Sequence, residues 1–388
     1  MRIALVNPTW SFENSIYFGC RSPHLSIELG ACRVLLERAG HETLMLDGAL
    51  DGLSLDGLAE RVAASAPAMT VVTTAPTYLF WRCAPPELRV PRAFLDALAG
   101  RDGRTVAVGP HGSVAPETAL ATLACALVVG GECEEVVTSL AEGGLARPDR
   151  VPALAFRDGA GTVVTGGPAA TVFTDLPALS RPDPWVARHA HHHRFDRAPE
   201  RPGAEIEASR GCPHSCTFCA KIDFRDKDRQ RALPLILEEL DRLIAQGVTY
   251  LYFVDGIEAG VESLTEAGRA MLDKNCRAST GDVSEPLIHA RRSVPFVQAN
   301  LIKVAGDDPA LAAGWRDRLR AAGVWANDPL PLHPYPSSLD DRRPRGEPDD
   351  EAWERAHAHY LGQFDRFSDI QEERPAPLRE LEAACCPA

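Results

Sequence analysis

Five short apolar runs fall in the first ~143 residues, most of them separated by stretches of helical periodicity, and they restrict the fold more than any other feature of the sequence. "RIALVNP" ends at Asn7-Pro8, and a helical stretch from about Leu25 to Arg38 stops near Gly40. "HETLMLDG", "AMTVVTTAP", "TVAVGPHG" and "ALVVGGE" follow, with helical stretches near Leu53 to Ala64 and Pro91 to Leu98. A strand with one wet face alternates apolar and polar residues. These runs are nearly continuous, so both faces must be covered. Strands of that kind, interleaved with helices, predict a doubly wound α/β domain with a parallel sheet. Ligands of such a sheet lie beyond the carboxyl ends of its strands.

Those ends carry unusual residues: Asn7-Pro8-Thr9, Asp47-Gly48, Thr73-Thr74-Ala75-Pro76, Gly109-Pro110-His111-Gly112 and Gly130-Gly131-Glu132. Glycine lets backbone approach a flat or bulky ligand, and hydroxyls and N–H groups hold its polar atoms. Any one of these loops also reads as a plain turn. The five together point to a ligand along this edge.

Residues 144–200 read as a linker. "ALAF" and "TVVT" around a glycine-rich turn predict a hairpin. His189, His191, His192 and His193 follow among prolines and arginines, and they read as exposed linker rather than as metal ligands. From 201 to about 338 the β/α alternation resumes, which predicts a second, parallel α/β barrel or part of one. "GAEIEAS" is its first strand, "LPLILEELDRLIAQG" an amphipathic helix, and "VTYLYFVDG" the next strand. Residues 339–388 read as a helical extension, with Trp353, Tyr360, Leu361 and Phe364 as a packing stripe.

The first strand of this second half feeds "SRGCPHSCTFCA", with Cys212, Cys216 and Cys219 spaced four and three residues apart. Three thiolates on one loop select an iron–sulfur cluster, zinc or copper. A structural zinc site normally has four protein ligands. His214 lies between the first two cysteines, where the loop is tight. A four-iron cubane held by three cysteines leaves one iron open for a substrate or cofactor.

The spacing, with Phe218 before the last cysteine and a strand before the loop, resembles the signature of the radical S-adenosylmethionine enzymes. With a Rossmann-like domain ahead of it, the chain resembles their cobalamin-binding subfamily. The resemblance implies a [4Fe-4S] cluster on Cys212, Cys216 and Cys219, with S-adenosylmethionine on the open iron. It also implies cobalamin along the front-domain strand ends (Asn7, Pro8, Asp47, Thr73, Thr74, Gly109, Pro110, His111, Gly112, Gly130, Gly131, Glu132). Gly260-Val261-Glu262-Ser263 resembles the family segment near S-adenosylmethionine, so Gly260 and Glu262 are implied there, as is Asp255 at the end of a strand. Pro334-Tyr335-Pro336 resembles a family turn, with Ser337 in place of its usual glycine. Arg225, Arg229 and Arg231 could pair with a carboxylate. The implied activity is cleavage to a 5′-deoxyadenosyl radical and C-methylation of an unactivated carbon in a small molecule, with an electron donor such as flavodoxin or ferredoxin. Cyclisation or rearrangement, or a non-catalytic cofactor-binding protein, are the alternatives.

One departure stands out. The family barrel has six strands, yet here "YFVDG" runs straight into "IEAGVES". A βα crossover needs at least ~10–12 residues. The two strands are therefore fused or a segment is missing, the barrel is partial, and turnover is expected to be weak.

Composition narrows the remaining classes. The 388 residues carry a net charge of −13, which argues against a nucleic-acid partner. There is no apolar run of membrane length and no signal peptide, and the expected location is the cytoplasm. Eleven scattered cysteines do not read as a disulfide framework. Cys20, Cys32, Cys83, Cys125, Cys133 and Cys276 read as small buried hydrophobes, and Cys385 and Cys386 as oxidation-prone residues of the tail.

Overall fold

The computed structural model describes residues 1–10, 24–76, 88–100, 103–161, 173–189, 202–211, 228–253, 258–272, 278–292, 297–331 and 338–346, with residues 163–164, 167, 169, 217, 336, 349, 351, 352 and 355. Cys212, Cys216, Cys219, Asp255, Arg225, His191 to His193, Tyr335, Ser337 and the stripe from Trp353 to Phe364 lie outside these.

All five expected strands of the front half form. They are β1 (Arg2–Asn7), β2 (Glu42–Asp47), β3 (Met69–Thr73), β4 (Arg104–Val108) and β5 (Leu127–Val129). Each is parallel to its neighbours, and the order is β2-β1-β3-β4-β5. The direction of strand addition reverses between β1 and β3, which is where a doubly wound sheet opens a crevice. The two faces of β1 explain why its sequence does not alternate. Ile3 and Leu5 pack with Leu29 and Leu36 of α1 (Ile27–Arg38) and with Val137 and Leu140 of α6 (Glu134–Ala141). Ala4 and Val6 pack on the other side with Leu58 and Val62 of α2 (Leu55–Ser65) and Phe94 and Leu98 of α3 (Arg89–Leu98). Ser54 accepts the Gly57 N–H at 3.1 Å and so caps the start of α2.

The expected hairpin forms as β6 (Leu154–Arg157) and β7 (Val163–Val164). It is part of the front sheet, antiparallel to β5, and brings that sheet to seven strands.

The second half starts at β8 (Gly203–Ile206), which pairs in parallel with β11 (Tyr250–Phe253). Between them lie β9 (Ser209–Arg210), β10 (Arg229–Gln230) and the amphipathic helix α8 (Leu233–Ala245). The helix α7 (Asp183–Arg188) precedes β8. Next come β12 (Glu258–Glu262), β13 (Gln298–Lys303), β14 (Trp325–Ala326) and β15 (Leu330–Pro331), with α9 (Glu266–Met271), α10 (Thr280–Ala290) and α11 (Pro309–Ala321) between them. The chain's last described helix is α12 (Leu339–Arg345).

β12, β13 and β14 form one parallel sheet, and β15 adds to β13. β11 and β12 are not one fused strand: they lie in separate sheets. Among the described residues no strand pairs the outer edge of either.

The histidines need one correction. His189 is not exposed linker. It is 2% exposed, and its Nε2 lies 2.8 Å from Glu205 Oε1 on β8. Glu205 is fully buried, and its other oxygen accepts the Leu25 N–H at 3.1 Å. A buried carboxylate demands donors, and His189 is one of them.

Candidate functional site

At the switch point three strand ends are cross-linked by side chains. Asn7 donates through Nδ2 to Asp47 Oδ2 at 2.6 Å. Its Oδ1 accepts from Thr73 Oγ1 at 2.8 Å and from Trp10 Nε1 at 2.9 Å. All four side chains are buried. Burial pushes the Asp47 carboxyl up to about 6, against N–H donation from Leu50 and Asn7. One strand over, Thr74 Oγ1 and His111 Nδ1 lie 3.0 Å apart, and His111 is 1% exposed. His111 sits on the short helix α4 (Pro110–Val114), which starts directly at the end of β4 and is followed by α5 (Pro116–Leu123).

Two glycines of this edge make their close approach to the protein's own chain. A Cβ on Gly112 would lie 2.3 Å from Val128 Cγ1. Gly131 has φ +80, and its Cβ would lie 2.2 Å from the Ala169 carbonyl oxygen. Gly131 and Ala169 form a parallel bridge, and Glu132 N donates to Ala169 O at 2.9 Å.

The described flanks of the cysteine segment meet this edge. β9 and β10 pair antiparallel, with Arg210 opposite Arg229 and Ser209 opposite Gln230, so the ladder closes the base of the stretch that holds the cysteines. Arg210 is fully buried. It donates to Glu207 through Nε (3.1 Å) and Nη2 (2.7 Å), and to Glu134 Oε1 through Nη1 (2.8 Å). Its Nη1 is also 3.5 Å from Glu132 Oε2. Burial alone would lower the Arg210 value, but the Glu134 and Glu207 carboxylates outweigh it and hold it well above the usual range. Arg229 donates to both oxygens of Glu132, through Nη1 at 3.0 Å and through Nη2. Gly211, next in the chain, has φ +96. Thr217 is a further anchor: its N–H donates to Leu272 O at 3.2 Å and its Oγ1 to Asp340 Oδ2 at 2.9 Å.

Arg229 and Arg231, read as carboxylate partners, find them inside the protein. Arg231 Nη1 is 2.7 Å from Glu239 Oε2, and Arg181 Nη1 is 3.0 Å from Glu239 Oε1.

The G-V-E-S segment ends β12. The ladder to β13 shifts register between Gly260 and Glu262, and Glu262 has φ +51. A non-glycine residue there carries strain of about 1 kcal/mol or more, and such strain clusters at functional positions. Glu262, Leu264, Leu301, Lys303, Val304 and Asp307 line a cavity of about 270 Å³ at the carboxyl ends of β12 and β13. Asp307 Oδ1 accepts from Ser263 Oγ and Thr265 Oγ1, each at 2.5 Å.

Sequence reasoning did not single out Glu134, Glu205, Glu207 or Glu239. Glu205 and Glu207 carried the one available signal: two acids in "AEIEAS", a stretch otherwise read as a buried strand. Cys32 and Cys133 are buried as expected, with Sγ atoms 3.8 Å apart.

An open, mostly parallel front sheet followed by β/α units is an arrangement also found in a solved cobalamin-dependent S-adenosylmethionine radical enzyme. The chain shares it with OxsB, solved with aqua-cobalamin bound, at a TM-score of 0.56 and 14% identity over 98% of this chain and 57% of that one. OxsB with aqua-cobalamin and S-adenosylmethionine bound gives a TM-score of 0.50 at 16% identity, covering 93% and 47%. The radical S-adenosylmethionine methyltransferase TsrM from Kitasatospora setae, solved with its tryptophan substrate and an S-adenosylmethionine analogue, gives 0.48 at 17%, covering 83% and 57%. Among curated proteins, tRNA-2-methylthio-N(6)-dimethylallyladenosine synthase from Acidithiobacillus ferrooxidans is 37% identical over 60 residues, or 14% of this chain and 13% of that protein. The chain thus spans about half the length of these solved chains and a small part of the curated relative. No family model matches it. No helix among the described residues is long and apolar enough to cross a membrane.

Proposed function

We propose that this chain is a cobalamin-dependent radical S-adenosylmethionine enzyme and that it C-methylates an unactivated carbon of a small biosynthetic substrate. Residues 1–143 would bind the corrinoid and residues 201–338 the cluster and S-adenosylmethionine. The observation that carries the reading is the contact of Glu132 with Arg210 and Arg229. It sets the carboxyl edge of the front sheet against the base of the cysteine segment.

The residues fit the groups. Three soft thiolates, Cys212, Cys216 and Cys219, suit an iron–sulfur cluster that keeps one open iron. The switch point between β1 and β3 is where doubly wound sheets take flat ligands. The chemistry these groups supply when bound is reductive cleavage of the sulfonium and, at the corrinoid, a transferable methyl group. The protein's own residues position and enclose. The Asn7–Asp47–Thr73 network and the Thr74–His111 pair hold the front edge rigid. Gly260, Glu262 and Asp255 would face S-adenosylmethionine, with Glu262 accepting from its ribose or amine.

A second reading, a cofactor-binding protein without turnover, is favoured by the separate sheets of β11 and β12. Anaerobic purification with hydroxocobalamin, an iron count and incubation with methyl-labelled S-adenosylmethionine test both. About four irons, a corrinoid band and label in product support methylation. 5′-Deoxyadenosine without label points to rearrangement, and cofactors without cleavage support the second reading. Zinc in place of iron overturns both readings.

A further inference from the structure

The pair of strands at the base of the cysteine segment is too weak to hold itself. β9 and β10 contribute only two residue pairs, and one of them sets Arg210 directly opposite Arg229. A two-residue ladder is marginal in water, and like charges directly opposite destabilise it further. The acid that reaches both arginines comes from the other half of the chain. Glu132, 1% exposed at its side chain, binds Arg229 with both oxygens and lies 3.5 Å from Arg210. It is fixed from behind, because its own N–H donates to Ala169 O and Gly131 bridges to Ala169.

Resting on the proposed function, we infer that Glu132 is a positioning residue that closes the base of the cysteine segment, so that the front sheet is a structural part of the cluster site. The barrel half does not complete that site alone. Arg210 keeps Glu134 and Glu207 whatever happens to Glu132. The effect of losing Glu132 therefore falls on Arg229, which is 21% exposed, and on the ladder.

The test is amide hydrogen exchange on the full-length, metal-free chain, compared with Glu132→Gln, Arg229→Gln and the double variant. Glu132 is 1% and Arg229 21% exposed, so removing either partner leaves a largely buried charge short of its mate, and each single variant should speed exchange at residues 209–211 and 228–230 by about tenfold. The double variant should add little to the larger single effect. Exchange in β1, β3 and β4 should stay at the wild-type rate. On the iron-loaded protein, Glu132→Gln should release iron to a ferrous chelator faster by a similar factor.

Unchanged exchange at the ladder overturns the inference. So does an equal rise throughout the front sheet, which would make Glu132 a general prop of the fold. If Glu132→Gln does not fold, Arg229→Gln decides by the same local criterion. If the wild-type chain takes up no iron, the proposed function fails, and the exchange result on the metal-free chain still decides the role of Glu132.

Discussion

Glu239→Gln keeps the shape of a buried side chain and removes its charge. Glu239 is fully buried, and the side chains of its two partners, Arg181 and Arg231, are 1% and 0% exposed. Its oxygens take Arg181 Nη1 at 3.0 Å, the Leu179 N–H at 3.1 Å and Arg231 Nη1 at 2.7 Å. After the substitution one oxygen is left to serve these donors, and the new amide group faces a guanidinium. The carbonyls of Leu176 and Pro177 still bind Arg231, and that of Glu205 still binds Arg181, so the arginines keep hydrogen bonds but lose their counter-charge. Breaking a buried pair from one side costs about 3–5 kcal/mol, and the surviving carbonyl contacts place this case near 3 kcal/mol. Equilibrium urea unfolding of the metal-free chain, followed by tryptophan fluorescence, reads the loss as a shift in midpoint at constant slope. Asp149→Ala is the control: its pair with Arg147 is about half exposed on both sides and should contribute nothing measurable. A loss below about 1 kcal/mol for Glu239→Gln, the range of an exposed pair, would refute the reasoning that the charge itself is needed there.

The pH dependence of stability should carry the mark of Asp47. Its folded value, about 6, lies above the usual 3.8, so the folded chain binds the extra proton. That contribution is full below the usual carboxylate value and is lost as pH rises through about 6. The shift corresponds to about 3 kcal/mol, so the gap in urea stability between pH 4 and pH 7 should shrink by that order in Asp47→Ala. Gly112→Ala forces a methyl into Val128 and should destabilise by about 1–3 kcal/mol; combining it with Val128→Ala should cost less than the two losses added, as read by thermal melting. Ser54→Ala removes the cap on α2 and should cost about 1 kcal/mol, seen as faster exchange confined to that helix's first turn.

The front sheet was legible because its evidence is local. "RIALVN" and "MTVVT" announce strands covered on both faces, and Gly40 marks the end of a helix without help from elsewhere. The reversal of strand order between β1 and β3 was not legible, since nothing within β1 says which strands will flank it. The chemistry of the cysteine segment was readable from spacing, while the arrangement around it was not. Arg210 looked like one more loop residue. Its three acids come from positions 132, 134 and 207, and no window of sequence brings those together. His189 misled for the same reason. Its neighbours in sequence are prolines and histidines, and its neighbour in space is Glu205. "YFVDG" and "IEAGVES" are too close for a crossover, and the structure sets the two strands in different sheets rather than in one fused strand.

The described stretch of the connector at residues 173–189 is packed rather than slack, and this governs how the molecule comes apart. Trp185 and Val186 of α7 pack with Leu25 ahead of α1, with Ala204 of β8 and with Leu243 of α8, and Met45 and Leu50 of the front half join them. Leu176 and Leu179 lie against Ile27 and Ala31 of α1. The two halves thus share two apolar clusters, and neither can shed the other without exposing them to water. Heating should give a single cooperative transition in which front and rear melt together. A chain cut within the connector should yield two sticky fragments in place of two tidy domains.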